Sequence, residues 1–261
     1  MERQIIWRGL LAGAAAGVLA FLFARVFLEP QIGRAIAYED GVGAAHEAAS
    51  HGHSHGEAGG GFSRTIQTNI GMGLGVLLFS VAIGALFAVV FAVAYGRVGA
   101  VSARLLSVYV AGGMLLSLYV VPFLKYPASP PALSLDETIR QRTLLYLLTV
   151  VVSAALLVGV VYLGRRLAGR LGAWNATLAA AGAYVVATGL LLLAMPAIDE
   201  TPGPLVDDAG TILYPGFPAD VLYEFRLYSL GTQVVIYATI GVVFAALVSR
   251  LLGERKHSVA A

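Results

Sequence analysis

Six stretches of the chain are apolar enough to cross a membrane, and charge collects in the segments between them. A hydrocarbon core needs about 20 helical residues. The runs lie at Ile5–Leu28, Ile70–Tyr95, Leu105–Leu124, Thr143–Leu163, Ala176–Pro196 and Ser229–Ser249. Each is continuously apolar and does not alternate over ~10-residue strands, so helices are expected and not a barrel. The pattern predicts an all-α polytopic membrane protein with six transmembrane helices, forming a single membrane domain over residues 1–261.

The links differ in character. Gly96–Arg104 and Gly164–Asn175 are short and hold Arg97, Arg104, Arg165, Arg166 and Arg170 with no acid. The longer links, Glu29–Asn69, Lys125–Arg142 and Ala197–Tyr228, hold thirteen of the fifteen acids. With both termini on the arginine-rich side, that side carries ten bases and two acids. Basic residues near span ends are retained in the cytoplasm. Both termini are therefore expected in the cytoplasm and the three long links outside. The apolar run at the N-terminus takes in Arg25, and the nearby Ala35-Ile36-Ala37 lies well beyond it. This segment is read as a retained first span and not as a cleaved leader.

Composition sharpens the exclusions. The 261 residues are 58% hydrophobic and 12% charged, with a mean hydropathy of +0.80. A soluble fold of this size could not hide so much apolar surface, and no basic face is available for nucleic acid. With no cysteine, neither a disulfide nor a thiolate metal site is open to the chain. Neither Lys125 nor Lys256 follows a glycine, so there is no P-loop. No nucleophile–base set suggests an enzyme, and no tightly bound cofactor is expected.

Gly9, Gly13 and Gly17 are spaced by four on the first span, and Gly71, Gly73, Gly75 and Gly84 stud the second. Such spacing predicts close helix packing in lipid. At one rim, charge and proline recur after spans one, three and five: Leu28-Glu29-Pro30, Lys125-Tyr126-Pro127 and Asp199-Glu200-Thr201-Pro202. Arginines (Arg64, Arg140 with Arg142, Arg226) recur before spans two, four and six. Three pseudo-repeated hairpins of one design are expected.

The chemistry-bearing residues form two sets. The link 29–69, read as an outward histidine- and glycine-rich loop, contains His46-Glu47-Ala48-Ala49-Ser50-His51-Gly52-His53-Ser54-His55-Gly56-Glu57. Neutral imidazoles bind borderline divalent metals, and Glu47 and Glu57 add oxygen donors. His46, His51, His53 and His55 are the candidate ligands for capturing a divalent metal such as Co, Ni or Zn. Within the spans no Asp or Glu lies at mid-depth. Ionisable residues gather at the outer ends instead: Arg25, Glu29, Lys125, Arg142, Asp199, Glu200 and Arg226. With Met195 they make a candidate vestibule for the cation.

Several longer motifs resemble the CbtA family of cobalt transporter subunits. They include Arg8-Gly9-Leu10-Leu11-Ala12-Gly13, Phe23-Ala24-Arg25-Val26-Phe27-Leu28-Glu29-Pro30 and the histidine segment. Others are Val121-Pro122-Phe123-Leu124-Lys125-Tyr126-Pro127-Ala128-Ser129-Pro130-Pro131 and Leu171-Gly172-Ala173-Trp174-Asn175-Ala176. Met195-Pro196-Ala197-Ile198-Asp199-Glu200, Phe217-Pro218-Ala219-Asp220 and Arg226-Leu227-Tyr228-Ser229-Leu230-Gly231-Thr232-Gln233 complete the set. Ser129 stands where the family pattern has Asn, and the segment Asp207–Tyr214 is longer than usual. The resemblance implies an inner-membrane cobalt uptake subunit serving cobalamin synthesis. It also implies a small single-span, histidine-bearing CbtB partner, beside lipid and a homo-oligomeric arrangement. A membrane-anchored accessory that binds metal and hands it to a separate permease or chelatase is the alternative.

Overall fold

The first apolar run becomes a helix that does not stop at the end of the run. In the computed structural model, which describes residues 2–50, 67–99, 101–131, 133 and 136–251, α1 (Glu2–Phe23) passes through a π-helical turn (Ala24–Leu28) into α2 (Glu29–Ser50). Leu28-Glu29-Pro30 was expected to end a helix. Proline ordinarily breaks one because its ring strikes the carbonyl four residues back and its missing N–H leaves that carbonyl bare. Here the carbonyl in question, that of Val26, lies inside the π-turn, where Glu29 N–H bonds Ala24 O five residues back. The wider turn makes room for the ring. Beyond it, six alanines and three glutamates favour helix, so the first part of the expected 29–69 loop is helical.

The same device recurs in span three. After the turn at residues 95–99, with Gly96 and Gly99 at positive φ, α4 (Ala103–Met114) runs into a π-helical stretch (Leu115–Val120) and then α5 (Val121–Lys125). Pro122 projects back toward Leu118, again within the π-stretch. Span five has no such turn. There the helix ends at Ala194, ahead of Pro196, because the residue before proline is driven out of helical geometry.

Span two is α3 (Met72–Ala94), preceded by a π-turn at Gln67–Gly71. α6 (Asp136–Ala194) carries two of the expected spans, parted at Gly172 by φ +76° and ψ 159°. A Cβ placed on Gly164 would lie 3.1 Å from that of Ala180. On a straight helix those positions would stand ~24 Å apart, so the chain doubles back at Gly172. The described residues thus hold five helices long and apolar enough to span a membrane, and the break in α6 yields the six expected spans. α7 (Ala219–Leu251) is the last.

Contacts divide the chain into two units, Met1–Ala111 with Ser129–Ser134 and Glu200–Ala261, and Gly112–Ala128 with Leu135–Asp199. In the first unit the glycine spacing does what it predicts. Gly9 and Gly13 of α1 face Ser80 and Gly84 of α3 so closely that a Cβ on Gly84 would come within 2.8 Å of Gly13 Cα. Gly75 lies off this seam, with nothing within 4 Å. Phe87, Phe91 and Phe244, all fully buried, meet edge-on at 4.9–5.0 Å. The Ser107 hydroxyl donates to the Gly241 carbonyl at 2.8 Å.

In the second unit, side chains of α6 satisfy the opened π-stretch. Ser153 Oγ donates to Ser117 O at 2.5 Å, and Tyr146 OH donates to Leu118 O at 3.3 Å. These two hydroxyls thus bond the carbonyls four and five residues before Pro122, which has no amide hydrogen to offer them.

Candidate metal-handling site

In the first unit, beyond the apolar part of span one, α2 packs into a small cap. Ala35, Tyr38, Leu133, Phe217 and Val221 form its buried core, with Val42, Tyr214 and Leu222 against it. The Tyr38 ring meets Phe217 at 4.9 Å and Tyr214 at 5.6 Å, both edge-on. Burial, and then Tyr214, push the Tyr38 hydroxyl above the usual phenol range, so it stays protonated. Over this core lies an antiparallel ribbon of β1 (Leu205–Val206) and β2 (Ile212–Tyr214). The Asp207 carboxylate closes its turn by accepting from Ala209 N at 2.9 Å and Thr211 N at 2.7 Å, and Gly210 supplies the positive φ. This is the segment that reads as a long insertion.

Arg34, the one base on α2, is bracketed by acids of the first turns of α7. It pairs with Asp220, and with Glu224 at 3.5 Å, and its guanidinium also reaches Gln31 Oε1 at 3.0 Å. The Arg34 hydrogen bond holds the Asp220 carboxyl below its ordinary range. Sequence reasoning passed over this cluster. The available signal was the i, i+4 acid pair Asp220 and Glu224 at the start of a helix, which presents two carboxylates on one face.

The candidate histidine ligands do not share one described site. His46 is on α2 and lines a cavity of about 300 Å3 with Tyr38, Glu39, Val42 and Pro202 to Leu205. His51, His53 and His55 lie outside the described residues, as does Glu57. Among the described residues no three His, Asp or Glu side chains converge to hold a metal ion.

The eight rim residues divide between the units. In the first, Arg25 bonds Glu29 at 3.3 Å and Asn69 Oδ1 at 3.2 Å, tying the π-turn of span one to that of span two. Glu200 and Arg226 also belong to this unit. In the second lie Lys125, Arg142, Met195 and Asp199. There Arg142 donates to the Pro127 carbonyl, and Tyr126 OH donates to Pro196 O at 2.8 Å. Of the expected cluster, the structure directly joins Arg25 and Glu29.

Deeper in the spans of the second unit, Ser117, Thr149 and Thr188 each donate to the carbonyl four residues back at 2.7–2.8 Å.

The family model for the probable cobalt transporter subunit, CbtA, matches residues 2–249, nearly the whole chain. The chain belongs to the CbtA family. It is thus a multi-pass membrane protein of a cobalt transporter. No curated protein and no solved structure matches it. The matched region runs through every span and through the cap, so the cap of this CbtA chain lies within the family's own extent and is not an appended domain.

Proposed function

We propose that this CbtA subunit imports a divalent metal, Co²⁺, across the cytoplasmic membrane in the service of cobalamin synthesis. Both termini lie in the cytoplasm, and the histidine segment and cap lie outside. The observation that carries this reading is the division of charge: thirteen acids with four of the five histidines on one side, ten bases on the other. A negative outer face concentrates cations, and imidazoles select borderline metals among them. Inward movement is then driven by the membrane potential, ~2.3 kcal/mol per charge per 100 mV and so about 4.6 for a divalent ion. A small single-span CbtB-like subunit completes the system, and CbtA copies assemble with one another. His46, His51, His53 and His55 capture the metal. Arg25, Glu29, Glu200 and Arg226 in the first unit, and Lys125, Arg142, Met195 and Asp199 in the second, are the residues proposed to pass it on. The protein carries no catalytic centre and no resident cofactor.

Proteoliposome uptake of radioactive cobalt, with this chain alone and with the small subunit, tests the proposal. Potential-driven uptake supports it. Metal binding without uptake in either preparation favours the accessory that delivers metal to another permease or chelatase. Orientation is checked in the cysteine-free background. Single cysteines at Ser54, Ser134 and Gly210 should label from outside, and one at Gly99 should not. Labelling of the Ser54 site from the cytoplasmic side overturns the import direction.

A further inference from the structure

The cavity between α2 and the Pro202–Leu205 segment has a lining that favours one kind of ligand. Among the described residues its titratable side chains are Glu39 and His46, with Tyr38 held as a neutral phenol, and no described Lys or Arg lines it. Its far wall is Pro202-Gly203-Pro204-Leu205. Two prolines in four residues leave few amide hydrogens. The Pro202 carbonyl accepts from Phe217 N at 3.1 Å and Leu205 pairs with Tyr214 in the ribbon, so the carbonyls of Gly203 and Pro204 are the acceptors this wall has left over. An anion would find little to bind there.

The surroundings add to the bias. Glu29 is matched by Arg25, and the single base of α2, Arg34, by Asp220 and Glu224, while α2 also bears Glu39, Asp40 and Glu47. The potential over the cavity is therefore negative. Its volume exceeds what one bare ion fills and has room for several waters. Glu39 and His46 are two helical turns apart, ~10 Å along the axis. That spacing suits an ion that keeps part of its water shell, held through water on one side and by carboxylate or imidazole on the other.

We propose that this cavity is a receiving site for a partly hydrated divalent cation, held by Glu39 and His46 against the Gly203 and Pro204 carbonyls of the wall. The proposal rests on the reading of the chain as a metal importer and gives that importer an ordered extramembrane station, built from the cap and sharing His46 with the histidine tract. The cap core explains why the station is fixed. Tyr38 and Val42, which line the cavity, also pack on Phe217 and its neighbours, so α2 cannot turn away without exposing them.

The test uses the full chain in detergent with His51, His53 and His55 replaced by Ser, and Co²⁺ alone as the probe in equilibrium dialysis. One saturable site per chain is expected. Glu39→Gln and His46→Gln should each weaken it about tenfold, the scale of losing one polar partner of a bound metal. Asp40→Asn, next to Glu39 on the same helix but outside the lining, should weaken it clearly less than Glu39→Gln does, because Asp40 acts on the ion through screened charge and not as a ligand. Thermal melts confirm folding, and should one lining variant fail to fold, the other decides. Absence of a saturable site, or equal weakening by Asp40→Asn and Glu39→Gln, overturns the proposal. Uptake by the unmutated chain is measured in parallel. Uptake without this site sinks the cavity alone, and the site without uptake sinks the import reading alone.

Discussion

Replacing Gly84 by Ala should destabilise the protein, and the same replacement at Gly75 should not, although both lie on α3. A Cβ on Gly84 would sit 2.8 Å from Gly13 Cα and closer still to the Gly9 carbonyl oxygen. Carbon atoms rest at about 3.5–4.0 Å, so α1 and α3 must part by roughly 1 Å. A gap of that size forfeits a quarter to a half of each contact along the seam, and overpacking of this kind costs about 1–3 kcal/mol. Alanine returns ~1 kcal/mol through helix propensity, leaving a net loss of about 0–2 kcal/mol. Gly75 has open space around its Cβ position and should only gain. For a chain of this length 1 kcal/mol moves the melting temperature by about 2–4 °C. Thermal unfolding in detergent should place Gly84→Ala below wild type and Gly75→Ala at or above it. If Gly84→Ala melts no lower than Gly75→Ala, the close approach of α1 and α3 is wrong.

Three further outcomes are expected. Tyr146→Phe strips the donor from the Leu118 carbonyl inside the π-stretch and should cost about 1–3 kcal/mol, read as a lowered melting temperature with unchanged helix content. Asp220, whose carboxyl is depressed by Arg34, contributes stability above the ordinary carboxylate value of ~3.9 and loses it as pH falls through its lowered folded value. Protection of α2 amides, taken relative to the exchange rate of the unfolded chain at the same pH, should therefore fall below about pH 4, and Arg34→Gln should lower it already at pH 6 and flatten that acid step. Replacing His46, His51, His53 and His55 by Ser should raise the half-saturating cobalt concentration for uptake and leave the maximal rate nearly intact, the sign of lost ground-state binding. A lowered maximal rate at all cobalt levels would instead put those histidines in the conduction path.

Span number and packing were legible because each is written locally. An apolar run of twenty residues has one meaning in lipid, and glycines four apart mark a seam whichever helix they meet. The hairpin at Gly172 was also foreshadowed by the arginines of the short link at residues 164–175. What sequence reasoning missed depends on partners distant in the chain. Pro30 reads as a helix end unless a π-turn is already present to receive its ring. Arg34 reads as one more rim charge until α7 brings Asp220 and Glu224 to it. Glu39 went unnoticed because its significance comes from a proline-rich wall some 160 residues later, and no periodicity reports that meeting. The histidine tract was conspicuous in composition, yet only His46 falls where its neighbours can be named.

The π-turn at Ala24–Leu28 has a consequence for how the chain tolerates change. A turn closed five residues back holds one residue more than an α-turn, and one residue is worth about 100° of rotation. Deleting Val26 would close the turn to α-helical spacing and drive the Pro30 ring against the carbonyl four residues back. The turn at 207–211, closed on itself by one aspartate, imposes no such constraint on the chain beyond it. Length variation should accumulate there and be absent from 24–28.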